Sequence, residues 1–275
     1  NAICHSFSTI ASGGFSTHDT SLGYYNSPVI NTICVVFLWI AALNFALHFA
    51  AASGRNLKGY WRDPEFKAFL VIQFALIAIC FLVLVHYDYY DTAEIALDQA
   101  MFQAVSISTT AGFATTDFSA WPVFLPILLI FSSFIGGCAG STGGGLKVIR
   151  VFLLFLQGKR EIDRLIHPKA VYSVKLGDRA MPDRVVEAVW GFFAAYAIVF
   201  VIIMLALLGT GMDDITAFTA TAATLNNLGP GLGDVAGTYA SVSDSGKWIL
   251  VLAMLFGRLE VFSLLVLFSP TFWRS

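Results

Sequence analysis

Five apolar stretches, roughly 28–52, 66–88, 121–157, 183–208 and 246–269, reach the length of a bilayer-crossing helix, which takes about 20 apolar residues. Backbone N–H and C=O groups facing lipid must be satisfied within the segment, so such a chain folds as spanning helices. Composition agrees: 57% of the 275 residues are hydrophobic and 12% charged, about half the charged share of a soluble domain. The net charge of −2 leaves no basic excess to neutralise phosphates, which excludes nucleic acid as a partner. Cys4, Cys34, Cys80 and Cys138 stand singly in apolar surroundings and read as buried small hydrophobes, not as a metal site or disulfide framework. The chain opens on Asn1 without a signal-peptide pattern and reads as a fragment or a processed chain.

Lys and Arg collect in two connections. Arg55, Lys58, Arg62 and Lys67 fall in the first; Lys147, Arg150, Lys159, Arg160, Arg164, Lys169, Lys175, Arg179 and Arg184 fall in the second. The positive-inside bias puts both on the cytoplasmic side. The opposite face carries Asp19, Asp88, Asp91, Glu94, Asp98, Asp117, Asp213, Asp214, Asp234 and Asp244 against Lys247, an acidic outer mouth. Asp63 before Pro64, and Pro182 before Asp183, mark helix starts. Trp39, Trp61, Trp121, Trp190, Trp248 and Trp273 mostly mark span ends and suit an aromatic belt, whereas the five His share no spacing and read as packed or interfacial.

An internal repeat carries the rest of the architecture. Ser12-Gly13-Gly14-Phe15-Ser16-Thr17-His18-Asp19 aligns with Thr110-Ala111-Gly112-Phe113-Ala114-Thr115-Thr116-Asp117, sharing Gly, Phe, Thr and Asp. A third copy, Asn227-Leu228-Gly229-Pro230-Gly231-Leu232-Gly233-Asp234, keeps the Gly and the Asp in register. Helix-like runs at 92–107 and 213–225, too short to cross, precede the two later copies. The unit is therefore span, short non-spanning helix, glycine-centred loop, span.

Irregular backbone at membrane depth is tolerated where it is buried in protein or lines a watery cavity, so a repeated re-entrant loop implies a pore. The C-terminal end of each short helix is partially negative and favours a cation. Glycine lets the following chain turn several carbonyls inward, where they replace the hydration shell of K⁺. On this reading Ser12, Gly13, Gly14, Thr110, Ala111, Gly112, Asn227, Leu228 and Gly229 form a filter whose backbone carbonyls bind K⁺. With one dependable glycine per copy, discrimination against Na⁺ is expected to be real but imperfect. Asp19, Asp117 and Asp234, five residues past each glycine, are expected either to hold the filter by accepting loop N–H groups or to attract cations.

These motifs, with Gly136-Gly137-Cys138-Ala139-Gly140-Ser141-Thr142-Gly143-Gly144-Gly145-Leu146-Lys147 inside the third apolar run, resemble the superfamily of K⁺ transporters that includes TrkH, KtrB and HKT, nearest to its bacterial TrkH branch. The resemblance covers essentially the whole chain. It implies an all-α polytopic membrane protein with repeated span–pore-helix–span units around a pseudo-fourfold cation pore. The bacterial inner membrane is the implied location, with a homodimer and a cytoplasmic nucleotide-binding regulatory subunit on the basic 147–184 face. That face could equally contact anionic lipid. No bound cofactor or catalysis is expected; K⁺ is the transported ion. Residues 1–52 would be a partial second pore unit, 53–160 the third with a broken second span, and 161–275 the basic connection and fourth unit. The first unit, and the span before the first filter copy, are expected upstream of this chain.

So many glycines argue for a loop at 136–145, since each costs about 1 kcal/mol against Ala in a helix. Gly140, Ser141, Thr142, Gly143, Gly144 and Gly145 are the expected gate below the filter. Arg258, about midway between Trp248 and Trp273, is expected to donate hydrogen bonds to that loop's carbonyls; an Arg258–Glu260 surface pair or snorkelling is the blander alternative. Lys147 lacks the neighbours of a phosphate-binding Walker loop. The rival function is an intramembrane aspartyl protease: Gly231-Leu232-Gly233-Asp234 matches its GxGD signature, with Asp88 or Asp91 as the second carboxylate. The repeat already accounts for Asp234.

Overall fold

The computed structural model describes residues 1–274 apart from 123, 178, 268 and 271. In chain order the helices are α1 (Ala2–Ile10), α2 (Pro28–Ala42), α3 (Phe45–Gly54), α4 (Lys58–Arg62), α5 (Pro64–His86), α6 (Ala93–Ser108), α7 (Leu125–Ile135), α8 (Val148–Ile166), α9 (Asp183–Leu208), α10 (Asp214–Leu225), α11 (Asp244–Arg258) and α12 (Val261–Leu267). A two-stranded antiparallel ribbon, Lys175–Leu176 with Arg179–Ala180, sits in the basic connection.

Helices α5 and α9 are long and apolar enough to span as single rods. Each starts where the punctuation says: Asp63 accepts the Phe66 N–H at 2.7 Å with Pro64 next in line, and Pro182 leads into Asp183. The first and last apolar runs, expected as single spans, are instead bent. The first turns by 93° between α2 and α3, and the last by 109° between α11 and α12. At the first corner Leu43 is extended and Asn44 caps α3, accepting the Ala46 N–H at 2.8 Å. The carbonyls that α2 frees there are used: Ala42 accepts from Cys138 N–H at 2.8 Å and Ala41 from Thr142 N–H at 3.3 Å. At the second corner Glu260 takes φ +56°.

The third apolar run breaks over residues 136–147, separating α7 from α8. Helix α8 then leaves the apolar run and carries Arg150, Lys159, Arg160 and Arg164, of which Arg160 is buried and pairs with Asp183 at 2.6 Å.

Helices α6 and α10 are the interior of the molecule. Phe102 through Ser108 are at most 1% exposed, and Thr219 through Leu225 at most 3%. Helix α6 packs on α5, α2 and α7, and α10 on α9, α11 and α7. Threonine is tolerated there because each hydroxyl bonds back to its own helix: Thr219 to Ile215 O, Thr221 to Ala217 O and Thr224 to Ala220 O, at 2.7–2.8 Å. The first copy, α1, packs chiefly on α2 and leaves Ile3 and Phe7 more than 70% exposed.

Two composition-level expectations are corrected. Cys4 is exposed while Cys34, Cys80 and Cys138 are buried. Trp121 is interior at 3% exposure, donating to the Tyr90 hydroxyl at 3.1 Å, and Trp39 donates inward to Gln73, so neither belongs to an interfacial belt.

Candidate ion pathway

All three short helices end in the same backbone device. The residue after each cap is left-handed although it is not glycine: Ser12 at φ 49°, Thr110 at 60° and Asn227 at 55°. Its N–H bonds the carbonyl of the penultimate helical residue, Thr9, Ile107 or Thr224, and the next N–H reaches back to Ser8, Ser106 and Ala223 at 2.7–2.8 Å. This is a Schellman termination, normally built on glycine. A left-handed L-residue costs about 1–2 kcal/mol; paid three times at equivalent positions, the strain points to a function. Gly14, Gly112 and Gly229 follow at φ 66°, 82° and 108°.

The consequence concerns the carbonyls. The turn's N–H groups are spent on the helix behind it, and among the described residues no hydrogen bond takes the carbonyls of Ser12, Gly13, Thr110, Ala111, Asn227 or Leu228. The copies also interlock. A Cβ on Gly14 would stand 2.3 Å from Ala111 O, and one on Gly112 2.1 Å from Leu228 O, whereas Gly229 faces nothing within 4 Å. Partly oxygen-lined and closely packed, such an array can take a desolvated cation; at its edge the Gly229 carbonyl accepts from the Tyr239 hydroxyl at 2.6 Å.

Side chains from the surrounding spans fix the helix ends. Gln73 on α5 exchanges hydrogen bonds with Ser108 at 2.8 and 3.1 Å. The Tyr196 hydroxyl on α9 donates to Asn226 Oδ1 at 2.6 Å, and Asn226 Nδ2 donates to Ser133 Oγ on α7 at 2.9 Å. On the outer side Asp213 caps α10; the Thr216 hydroxyl and N–H hold its carboxyl below the usual carboxylate range.

Directly against these ends lies the glycine loop, and it touches every copy. Thr142 Oγ1 meets Ser12 Oγ at 2.8 Å, the Gly144 N–H donates to Thr110 Oγ1 at 2.5 Å, and a Cβ on Gly144 would lie 1.9 Å from Asn226 O. A Cβ on Gly143 would lie 2.7 Å from Thr109 O. Gly136, Gly140 and Gly145 supply the positive φ angles of the loop, and Ser141 closes a turn onto Cys138 O at 2.6 Å. Lys147 Nζ donates to Gly143 O. Arg258 Nη1 donates to Thr142 O at 3.2 Å. Arg258 ends α11 at the corner, not midway along a straight span, and its expected surface partner is engaged elsewhere: Glu260 pairs with Arg150 at 2.6 Å, while Arg150 lies 4.2 Å from the Phe192 ring centroid.

The outer acids do not hold the filter. Asp117 accepts from the Ser119 N–H at 2.9 Å and hydroxyl at 2.6 Å, capping a short turn beyond it. Gln103, Thr115 and Gln99 brace that segment instead. Asp117→Asn keeps an acceptor for the turn, so K⁺/Na⁺ selectivity should be unchanged and any loss of flux should disappear at high ionic strength. Flux assayed at low and high salt checks this, and altered selectivity would contradict it. Glu65 is a residue that sequence reasoning missed, since only its neighbours Asp63 and Pro64 were singled out there. It is 6% exposed and accepts from both Ala139 N–H and Ile149 N–H. Asp88, Asp91 and Asp234 are all exposed, and none forms the desolvated pair that a shared proton requires.

Re-entrant helices with left-handed ends, set among apolar spans and backed by an intramembrane loop, define a membrane protein of the pore-loop class. The family model TrkH, a cation transport protein, matches residues 1–275, and the chain belongs to that family. The chain is 64% identical over 275 residues to the Trk system potassium uptake protein TrkH of Salmonella typhimurium and 62% to that of Escherichia coli, covering all of this chain and 57% of either relative. Escherichia coli TrkG is 40% identical over the same 275 residues, 56% of its length. The crystal structure of the potassium transporter TrkH from Vibrio parahaemolyticus superposes with a TM-score of 0.95 at 65% identity, over 99% of this chain and 59% of that one. The chain therefore spans somewhat over half the length of these relatives. None of them is described as a protease.

Proposed function

We propose that this chain forms three quarters of a K⁺ pathway, translocating K⁺, and Rb⁺ and some Na⁺ less well, across the bacterial inner membrane. The observation that carries this reading is the set of carbonyls at Ser12, Gly13, Thr110, Ala111, Asn227 and Leu228 that no hydrogen bond claims among the described residues. K⁺ is the cargo and binds there transiently. The fourth segment belongs beside Gly229, the one filter glycine with open space in front of it. Residues 1–52, 53–160 and 161–275 are the corresponding pore units. Both basic connections face the cytoplasm, consistent with the distribution of Lys and Arg.

Gly140–Gly145 is the gate, held across the lower end of the filter by Arg258. The 147–184 face receives a cytoplasmic nucleotide-binding subunit that shifts the loop, and the working unit is a homodimer. The chain performs no chemistry and needs no cofactor of its own. Uptake of radiolabelled Rb⁺ into proteoliposomes holding the full-length protein tests the reading: uptake above protein-free vesicles, competed by K⁺ more strongly than by Na⁺, is expected. Absence of uptake with correctly folded protein and its regulator would overturn it.

A further inference from the structure

One oxygen does two jobs at the base of the glycine loop. Glu65 Oε1 accepts the Ala139 N–H at 2.7 Å and the Ile149 N–H at 3.1 Å. These donors lie on either side of the segment that crosses below the filter: Ala139 enters it, and Ile149 is the second residue of α8. A single buried acceptor thus ties the entry and exit of the loop to one point. The N–H end of α8 carries partial positive charge, which favours a carboxylate there.

The same face of α5 continues the restraint one turn at a time. Phe69, four residues on and 1% exposed, packs in the cluster that holds Cys138 and Val148. Gln73, four further on, bonds Ser108 at the end of α6. Residues at this spacing share one helix face. Helix α5 therefore touches the loop at one level and the filter helix two turns higher, and fixes the distance between them.

We infer that Glu65 is the positioning residue that registers the glycine loop beneath the filter, and that displacing the loop requires its two N–H groups to leave this carboxylate. The inference rests on the gate reading above and adds to it the point at which the loop is anchored. Arg258 and Lys147 reach the loop through its carbonyls, whereas Glu65 engages its N–H groups.

The test uses the full-length protein in proteoliposomes, with every other cysteine, Cys4, Cys34 and Cys80 among them, replaced by Ala so that Cys138, 2% exposed and adjacent to Ala139, is the thiol reporter. Glu65→Ala should raise maleimide labelling of Cys138 about tenfold, as expected for losing charge-assisted hydrogen bonds. Glu65→Asp keeps the charge but withdraws the oxygen by one methylene, and should behave like Ala. Glu65→Gln retains an acceptor at the same reach and should restore labelling to within about threefold of the parent. General loosening of the fold would not be rescued by Gln while persisting in Asp, and the Asp variant keeps the test open if the Ala variant fails to fold. Basal Rb⁺ uptake is measured in the same vesicles. Increased labelling in Ala and Asp with Gln rescue but unchanged uptake supports the anchor and overturns the gate reading. Parental labelling in folded Ala and Asp variants, while Arg258→Ala still raises uptake, overturns the anchor and leaves the gate.

Discussion

Gly112→Ser is expected to cost about tenfold in the K⁺/Na⁺ uptake ratio. Gly112 sits at φ +82°, and an added Cβ would lie 2.1 Å from Leu228 O and 3.3 Å from Leu228 C. The left-handed backbone alone penalises an L-residue by about 1–2 kcal/mol, and about 1.4 kcal/mol is a factor of ten. The overlap adds to this, and it falls on a carbonyl of the neighbouring copy, so the injured group is one of the oxygens proposed to coordinate K⁺. Relief requires Leu228 to withdraw, which widens the ring on the side facing the third copy and favours no particular ion. Gly158→Ala is the control: nothing lies within 4 Å of a Cβ there, in the middle of α8, and expression and selectivity should be unchanged or slightly improved. Competition of labelled Rb⁺ uptake by K⁺ and by Na⁺ measures both variants. Unchanged selectivity in well-folded Gly112→Ser would remove this glycine from the filter.

Arg258→Ala is expected to raise basal uptake about tenfold while leaving the K⁺/Na⁺ ratio intact. The guanidinium holds Thr142 O at 3.2 Å, and Thr142 in turn meets Ser12 and the Ala41 carbonyl. A charge-assisted hydrogen bond contributes about 1.5–3 kcal/mol; solvent contact at this exposed side chain puts the effect at the low end, hence about tenfold in the closed-to-open balance. The corner itself survives the change because Glu260 remains paired with Arg150 at 2.6 Å. Arg258→Lys keeps a charge without the planar fork and should fall between the two. Deletion within Gly140–Gly145 should act in the same direction. Wild-type basal uptake in folded forms of both would put the closure elsewhere.

How much of this was legible follows from the range of the forces involved. Helices α5 and α9 were readable because hydropathy and their Asp63 and Pro182 starts are local signals. The short helices α6 and α10 and the repeated loops after them were readable because three-fold repetition separates a device from an ordinary turn, and the break near 136–147 because so many glycines disfavour a helix. The corners after Ala42 and Arg258 were not. Hydropathy averages across a bend, and the first corner is stabilised by the N–H groups of Cys138 and Thr142, about a hundred residues away in sequence. Arg258 was legible as an expensive charge, and its contact with the loop could be named, although its place at a corner could not. Glu65 was not singled out, since nothing nearby in sequence reveals the two amides it serves. The repeated aspartates show the converse error: the register was correct, yet Asp117 serves a local turn, because alignment reports common ancestry of position and says nothing about what a carboxylate touches.

The interlock of glycine against neighbouring carbonyl has a consequence for how the repeats can change. Gly14 leans on the second copy and Gly112 on the third, so a side chain gained in one copy is felt in the next. The copies are thermodynamically coupled in one direction around the ring, and substitutions in adjacent copies should depart from additivity. Ser12-Gly13, Thr110-Ala111 and Asn227-Leu228 can diverge because their side chains lie outside that coupling, whereas Gly14 and Gly112 cannot drift alone. A duplicated unit of this kind loses its resemblance from the outside inward, and the last residue to be released is the one that rests against its neighbour.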